Sequence, residues 1–339
     1  MKRFFGLCLS ALLATGLSPA AGAPSLNGAG GSAIHPAMSL WAQNYKRDTG
    51  IAVNYQPIGS GGGIRQAIAR TIDFGNTDKP LTATALKEND LVQFPILVLS
   101  IVPVVNLPDI APGAIVLDGP TLAGIFLGKV TRWDAPEIRK LNPNVKLPPL
   151  SVIVVHRSDA SGMTYNFTSY LSSVSPEWKA QVGSDTAVAW PVGLAAQGNA
   201  GIAVTLMKTQ GAIGYVEYAF ALQNKLTFTG LVNQEGKRAE PGMDSFRAAA
   251  DRAEIQDEEG FRLILIDRPG AASWPLMTAT YMLMRADAPV EKNRAILKFL
   301  DYGLHRGRSA AEDLNYVPLP DSIVQRVEAV WTDKLHAWP

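Results

Sequence analysis

The sequence predicts an α/β protein of two globular domains, and three observations support this fold class. The chain has 339 residues, 47% of them hydrophobic and 18% charged, enough for one large or two medium domains with buried cores. Short β-branched runs alternate with segments of helical periodicity along the chain. We find neither an internal repeat nor a low-complexity linker, and two domains are the better expectation at this length.

The first two dozen residues have the pattern of a secretory signal. Lys2 and Arg3 precede an apolar run from Phe4 to Leu17, and alanines follow at 20, 21 and 23. The run is shorter than the roughly 20 residues of a membrane-spanning helix, which is the weaker alternative. Residues 1–23 are therefore predicted to be a signal peptide that exports a soluble protein.

The single cysteine and the charge balance exclude several kinds of chemistry. Cys8 lies inside the signal with more apolar residues after it, so lipidation of a first mature residue is not expected. The mature chain then has no disulfide and no thiolate for catalysis or metal binding. A formal net charge of +1 supplies no long-range attraction for nucleic acid or an anionic membrane. Any bound anion must be held by local groups.

The elements of the first third follow from periodicity. Residues 36–49 have apolar side chains at near-helical spacing, and Gly50 is a good residue for ending that helix. Alternating apolar residues at 51, 53 and 55 predict a strand. Residues 59–63 are rich in glycine and predict a loop, after which residues 64–71 predict an amphipathic helix.

The rest of the chain continues the alternation. Residues 94–106 form a long apolar run that contains Pro95 and Pro103, which favours buried strands with bends over one helix. Residues 152–155 predict a buried strand that delivers Arg157 to a loop, and residues 164–171 a helix. Near the end, residues 277–284 predict a strand and residues 290–302 an amphipathic helix.

Three segments of glycine and serine are candidates for an anion site, namely residues 28–32, 59–63 and 161–163. Each precedes a predicted helix, so each can aim unpaired backbone N–H groups and the positive end of a helix dipole at one anion. Taken singly, such a segment is more often a plain turn. Two charged side chains strengthen the interpretation.

Arg157 and Asp78 are those side chains. Arg157 ends a predicted strand four residues before Ser161, where a bidentate contact with an oxyanion is possible and Asp159 is near enough to orient it. A salt bridge between domains explains the arginine equally well. Asp78 is unexpected beside an anion, and its plain alternative is a turn or helix-capping residue.

Six stretches spread over the mature chain carry a family resemblance: LNGAG at 26–30, VNYQ at 53–56, IGS at 58–60, FTSYL at 167–171, GAIGYVEY at 211–218 and LPDS at 319–322. In them the chain resembles the periplasmic phosphate-binding protein of the high-affinity phosphate ABC transporter. The resemblance implies a two-lobed periplasmic-binding-protein fold of the type II kind, with crossover strands and phosphate in the cleft. We expect residues 24–99 with 276–339 to form lobe I and residues 100–275 to form lobe II.

The resemblance also implies the roles of individual residues. Arg157 is then the cationic contact, steadied by Asp159, and Asp78 the single acceptor. The donors come from three loops and are Ser32, Ala33, Ser60, Ser161, Gly162 and Met163. Inorganic phosphate is the ligand, no cofactor or metal is expected, and the expected partner of this monomer is an ABC permease.

Three positions depart from the family pattern. Ser32 is followed by Ala33, where the family carries threonine and then an aromatic residue, and Met163 stands where the family has threonine. A hydrogen bond to a charged ligand contributes about 1.5–3 kcal/mol, so the hydroxyl missing at Met163 predicts weaker binding unless Thr164 or water substitutes.

The lone acceptor suggests how phosphate is selected. Hydrogen phosphate has a P–OH group that can donate to the Asp78 carboxylate, whereas sulfate has no proton at the same pH. Sulfate would therefore set its lone pairs against those of the carboxylate, and a site of this kind rejects a near-isostere strongly.

Two other functions stay open: a secreted phosphatase, and an adhesion or signalling module that kept the fold without tight binding. The four histidines, at 35, 156, 305 and 336, lack metal-ligand spacing, and neither a G-x-S-x-G elbow nor a P-loop occurs. His156 adjoins Arg157, but neighbouring side chains on a strand point to opposite faces, so it is expected to point away from Ser161.

Overall fold

The structure is a computed structural model that describes residues 25–258 and 260–338. The predicted signal peptide therefore lies outside the described residues. The helices are α1 (His35–Thr49), α2 (Ser60–Ile68), α3 (Ala83–Glu88), α4 (Gly119–Phe126), α5 (Pro136–Leu141), α6 (Gly162–Val174), α7 (Pro176–Gln181), α8 (Gly198–Lys208), α9 (Tyr218–Gln223), α10 (Met243–Ala250), α11 (Val290–His305), α12 (Arg308–Asp313) and α13 (Asp321–Leu335).

The strands alternate with these helices, as the sequence predicts for an α/β protein. They are β1 (Ser25–Ala29), β2 (Ala52–Gln56), β3 (Phe74–Thr77), β4 (Leu91–Val105), β5 (Val116–Leu117), β6 (Ile153–Arg157), β7 (Leu194–Ala196), β8 (Ala212–Glu217), β9 (Thr227–Phe228), β10 (Gly230–Val232), β11 (Arg238–Ala239), β12 (Glu254–Gln256), β13 (Arg262–Ile264), β14 (Met277–Arg285) and β15 (Val317–Pro318).

Most of these strands join one ten-stranded sheet, in the order β2-β1-β3-β14-β4-β8-β6-β7 with β15 and β9 also paired to β4. At one end β1 pairs in parallel with β2 and β3, and at the other end β6 pairs in parallel with β7 and β8. Parallel strands end at a common edge, and ligand sites of α/β sheets form at that edge. The segments that follow β1, β2, β3 and β6 are those singled out in the sequence.

Strand β4 connects the two halves of the sheet. Its residues 91–100 pair antiparallel with β14, and its residues 101–105 pair antiparallel with β8. All fifteen residues are buried, in agreement with the continuous apolar run. The prediction of buried strand in place of a helix is confirmed, although a single strand passes both prolines, and its pairing with β14 shifts register beside Pro95. Such a shift accommodates a residue that has no N–H to donate.

Two predicted helices begin earlier than expected. Helix α2 starts at Ser60, so most of the predicted loop at 59–63 forms its first turn. Helix α6 starts at Gly162 with Ser161 as its N-cap. Glycines have low helix propensity, but tertiary contacts override it here. The start of α1 was predicted within one residue, and the helix ends at Gly50 with φ 78°, the left-handed conformation that glycine adopts without strain.

The core runs through both halves of the sheet. The largest fully buried side chains include Trp41, Trp133 and Trp274, and each donates its indole N–H to a backbone carbonyl. The Trp274 indole bonds the carbonyl of Ile101, where β4 passes from one half to the other. None of the helices within residues 25–258 and 260–338 combines the length and the apolar character needed to span a bilayer.

Candidate anion-binding site

Asp78 lies at the centre of the loops that the sequence singled out. It follows β3 directly and is 2% exposed. Its Oδ1 accepts a hydrogen bond from Thr280 Oγ1 at 2.7 Å, and its Oδ2 lies 3.4 Å from the hydroxyl of Ser60. Burial raises the pKa of Asp78 to about 6, and the bond from Thr280 and the charge of Arg157 limit the rise. The Asp78 carboxyl group is therefore a buried hydrogen-bond acceptor with a raised pKa.

Arg157 is the cationic side chain of the site. It ends β6, is 4% exposed, and donates from Nε and Nη2 to the two carboxylate oxygens of Asp159 at 2.7 and 2.5 Å. Burial raises the pKa of Asp159, but the hydrogen bonds and charge of Arg157 outweigh it and leave that pKa lowered. Asp159 also accepts a bond from the N–H of Gly198 at 3.0 Å. The predicted orienting role of Asp159 thus has a bidentate geometry.

The first turns of α2 and α6 face each other across the cleft. The N–H of Gly61 donates to the carbonyl of Ala160 at 3.1 Å. A Cβ on Gly162 would lie 2.5 Å from Ser60 Oγ and 2.6 Å from Asp78 Cβ. The helix starts can approach this closely because residue 162 has no side chain. Helix geometry leaves the first N–H groups of both helices without an acceptor inside their own helix.

The turn before α1 also lies beside Asp78. Gly31 donates its N–H to the carbonyl of Asn76 at 3.3 Å, and a Cβ on it would lie 3.2 Å from both carboxylate oxygens of Asp78. Ser32 and Ala33 follow and share a cavity wall with Asn199. The structure thus brings all nine sequence-predicted residues into one region between the two halves of the sheet: Ser32, Ala33, Ser60, Asp78, Arg157, Asp159, Ser161, Gly162 and Met163.

The sequence reasoning missed several residues that hold this region together. Asn166 donates from Nδ2 to the carbonyl of Asp78 at 2.7 Å, and Thr280 reaches Asp78 from the middle of β14. Neither has a recognisable local motif. Asn199 accepts a bond from Arg157 Nη1 at 3.0 Å. The Gly198-Asn199 pair at the start of α8 was a possible signal, since it resembles the other glycine-led helix starts.

His156 has a role in packing. Its ring stacks on Trp190 with centroids 4.9 Å apart, and its Nδ1 lies 3.2 Å from the carbonyl of Arg157. Burial lowers its pKa. The Ser161 hydroxyl accepts a bond from the N–H of Thr164 instead of facing the imidazole. His156 therefore points away from the serine, as the strand alternation predicted.

One cluster of potential metal ligands lies on α11 and α13. His305 Nε2 is 2.9 Å from Glu328 Oε1 and 3.4 Å from Asp301 Oδ1. All three potential ligand atoms lie within 4.8 Å of one another, a proximity that the spacing of the histidines in the sequence did not indicate. The imidazole is half exposed, and its contacts with the carboxylates are those of a surface ion pair.

Comparisons with known proteins first define the class. A family model described as a PBP superfamily domain matches residues 16–305, so the chain belongs to the PBP superfamily. A solved periplasmic phosphate-binding protein with bound phosphate is similar over 90% of this chain and 93% of its own, with a TM-score of 0.70 at 19% identity. An ABC-type phosphate transport receptor from Vibrio cholerae covers 87% of this chain and 100% of its own, with a TM-score of 0.57 at 18% identity. These similarities show the two-lobed fold.

Sequence relatives then define the family. The protein named phosphate-binding protein PstS of Haemophilus influenzae is 44% identical over 326 residues, which is 96% of this chain and 97% of the relative. That of Pasteurella multocida is 45% identical over 311 residues, or 91% and 90%. The chain belongs to the family of PstS phosphate-binding proteins. Its members are substrate-binding proteins of phosphate transport, which confirms the resemblance that the sequence motifs indicated.

Proposed function

We propose that this protein binds inorganic phosphate in the cleft between its two lobes and delivers it to an ABC permease for import. One observation carries the proposal: three helix starts, a buried arginine and a buried carboxyl group converge on one region. Helix dipoles and N–H donors supply most of the attraction for an anion there, and the guanidinium of Arg157 adds a positive charge.

The roles within the site follow from the contacts. Arg157 is held by Asp159 with its remaining N–H groups directed away from that carboxylate, where they donate to a phosphate oxygen. Asp78 accepts the proton of hydrogen phosphate. The other proposed ligands donate from backbone N–H groups or hydroxyls, and they are Ser32, Ala33, Ser60, Ser161, Gly162 and Met163.

The lobes are proposed to comprise residues 24–99 with 276–339, and residues 100–275. Support comes from β4, whose pairing partner changes from β14 to β8 between residues 100 and 101. The two lobes hinge about this crossover, and closure encloses the anion. We further propose that residues 1–23 direct export to the periplasm, where the protein acts as an unlipidated monomer.

An enzymatic reaction on phosphate esters is the main rival proposal. The base and nucleophile that the sequence offered for it are His156 and Ser161, but His156 stacks on Trp190 and the Ser161 hydroxyl caps α6. We therefore propose binding without chemistry and without a cofactor. A signalling or adhesion module requires no tightly bound ligand, so this alternative predicts weak or absent binding of phosphate.

Calorimetric titration of ligand-stripped protein separates these functions. We expect a one-to-one complex with phosphate, a similar one with arsenate, and no measurable heat with sulfate at the same concentration. Failure to bind phosphate at millimolar concentration would refute the transport function and favour the signalling module. Release of phosphate from a chromogenic ester by the purified protein would favour the phosphatase.

A further inference from the structure

Asn199 occupies an unusual position beside Arg157. It is the second residue of α8, and only 3% of it is exposed. Its Oδ1 accepts a hydrogen bond from Arg157 Nη1 at 3.0 Å. Its Nδ2 is buried without an acceptor among the described residues. A buried amide nitrogen without a partner is costly, so the two N–H groups of Asn199 are expected to serve a ligand.

The hydrogen bonds of Arg157 indicate where that ligand lies. A guanidinium has five N–H groups. Nε and one N–H of Nη2 bond Asp159, and one N–H of Nη1 bonds Asn199. One N–H on each terminal nitrogen is left, and a guanidinium with two such N–H groups can bind two oxygens of one oxyanion. Asn199 thus flanks the anion on the Nη1 side.

The lining of a cavity in the cleft also brings Asn199 near proposed ligands of the anion. Asn199 and Gly198 line a cavity of about 400 Å³ together with Ser32 and Ala33 from the turn before α1. Asn199 therefore lines the same cavity as two residues already proposed as ligands. Its carbonyl oxygen accepts a hydrogen bond from Arg157, which fixes the amide orientation and leaves Nδ2 available to donate.

The proposed site lacks one hydroxyl donor at Met163, and the Asn199 amide can supply a donor in its place. Met163 has no hydroxyl, and its side chain is 2% exposed within the hydrophobic core. The Thr164 Oγ1 lies 2.6 Å from the hydroxyl of Tyr215, so this side chain already has a buried hydrogen-bond partner of its own. We infer that Asn199 is a further ligand of the phosphate, donating from Nδ2 while its Oδ1 positions Arg157. This inference rests on the proposed binding of phosphate.

Two substitutions separate donation from positioning. Asn199→Asp keeps an oxygen for Arg157 but replaces the donor by a carboxylate that faces the anion. We expect phosphate affinity, measured by calorimetry, to fall by at least about 100-fold. Asn199→Ala removes donor and acceptor without adding charge, and we expect a loss of about tenfold. The matched control is Gln197→Glu, which adds a carboxylate to the wall of the same cavity, two residues earlier.

The outcomes are distinguishable. A wild-type protein that does not bind phosphate refutes the proposed function, whatever the variants do. If the wild type binds and Asn199→Asp stays within about threefold of it, Asn199 only positions Arg157 and the inference fails. It also fails if Gln197→Glu loses as much affinity as Asn199→Asp, since charge in the cleft then explains the loss. Thermal unfolding of each ligand-free variant shows that the comparison is made between folded proteins.

Discussion

Lys79 Nζ lies 2.6 Å from Asp185 Oδ1, and this ion pair joins residues that belong to different proposed lobes. Lys79 directly follows the buried acceptor Asp78, and its ammonium group also lies 5.3 Å from the ring centre of Tyr165. The side chains are 33% and 54% exposed. The pair therefore connects the two sides of the cleft at its surface.

The first prediction concerns this ion pair. Lys79→Ala removes it, and because exposed pairs contribute about 0–1 kcal/mol, we expect phosphate affinity to fall by up to about fivefold. The loss should shrink in high salt, which screens the pair in the wild type. Calorimetry at low and high sodium chloride measures both effects.

Lys129→Ala is the matched control for Lys79→Ala. Lys129 forms a similarly exposed ion pair with Glu177, but both residues belong to proposed lobe II. Its loss should leave phosphate affinity unchanged. Equal affinities for wild type and Lys79→Ala at low salt would show that the pair between the lobes does not favour the closed form.

The second prediction uses the contact between the helix starts. Gly162→Ala places a Cβ 2.6 Å from Asp78 Cβ and 2.9 Å from Asp78 Cα, distances too short for this arrangement of the two helix starts. We expect phosphate affinity to fall by about 100-fold or more. Small-angle X-ray scattering should show that added phosphate no longer compacts the variant.

Gly201→Ala controls for the effect of an alanine in a helix. Gly201 lies in the first turns of α8, and the nearest atom to its added Cβ would be 3.4 Å away. This variant should bind phosphate as the wild type does. Normal binding by Gly162→Ala would mean that the bound protein is more open than the structure described above.

The third prediction concerns anion selection. Asp78→Asn replaces the buried acceptor by an amide that can donate, so sulfate no longer meets a carboxylate. We expect sulfate affinity to rise by about tenfold or more and phosphate affinity to fall. The selectivity for phosphate over sulfate then decreases. Asp159→Asn is the control, since loosening Arg157 should weaken both anions together. Unchanged exclusion of sulfate by Asp78→Asn would refute the role of Asp78.

The fourth prediction concerns the pH dependence of stability in the absence of ligand. Burial raises the pKa of Asp78 to about 6 in the folded protein, above its value of 3.8 in an unfolded chain. The folded protein therefore binds this proton more tightly. The stabilisation is complete below pH 4 and is lost as the pH rises through 6. Asparagine does not titrate and avoids this loss.

The direction of this pKa shift determines what should be measured. Between pH 4 and pH 7 the free energy of unfolding of Asp78→Asn, relative to wild type, should rise by up to about 3 kcal/mol. Urea unfolding in phosphate-free buffer at both pH values measures the change. Asp109→Asn, at an exposed position, controls for the exchange of an aspartate for an asparagine. A constant difference between Asp78→Asn and wild type would mean that the carboxyl group does not titrate abnormally.

Periodicity identified the elements that pack regularly. The helix before Gly50, the strand before Arg157 and the strand at 277–284 all occur, because a buried face leaves a repeating pattern in the sequence. Local reasoning was wrong where tertiary contacts prevail. The glycines after Ser60 suggested a loop, but they form a helical turn that packs closely against the turn after β1.

Only some residues of the proposed site could be predicted from the sequence. Glycine and serine before a helix are a local signal, so Ser60 and Ser161 were found without a structure. Thr280 and Asn166 were not, because each reaches Asp78 from more than 80 residues away in the chain. Asn199 had a weak local signal, and only its bond to Arg157 relates it to the site.

By itself the sequence determined the α/β class and the family, and it predicted the turns that are proposed to bind the anion, because these depend on patterns within short stretches of the chain. The tertiary structure alone decided that β4 is one continuous strand shared by both halves of the sheet, and which side chains surround Asp78. Strand pairing and cross-cleft hydrogen bonds join residues that are distant in the chain, so no local pattern of residues specifies them.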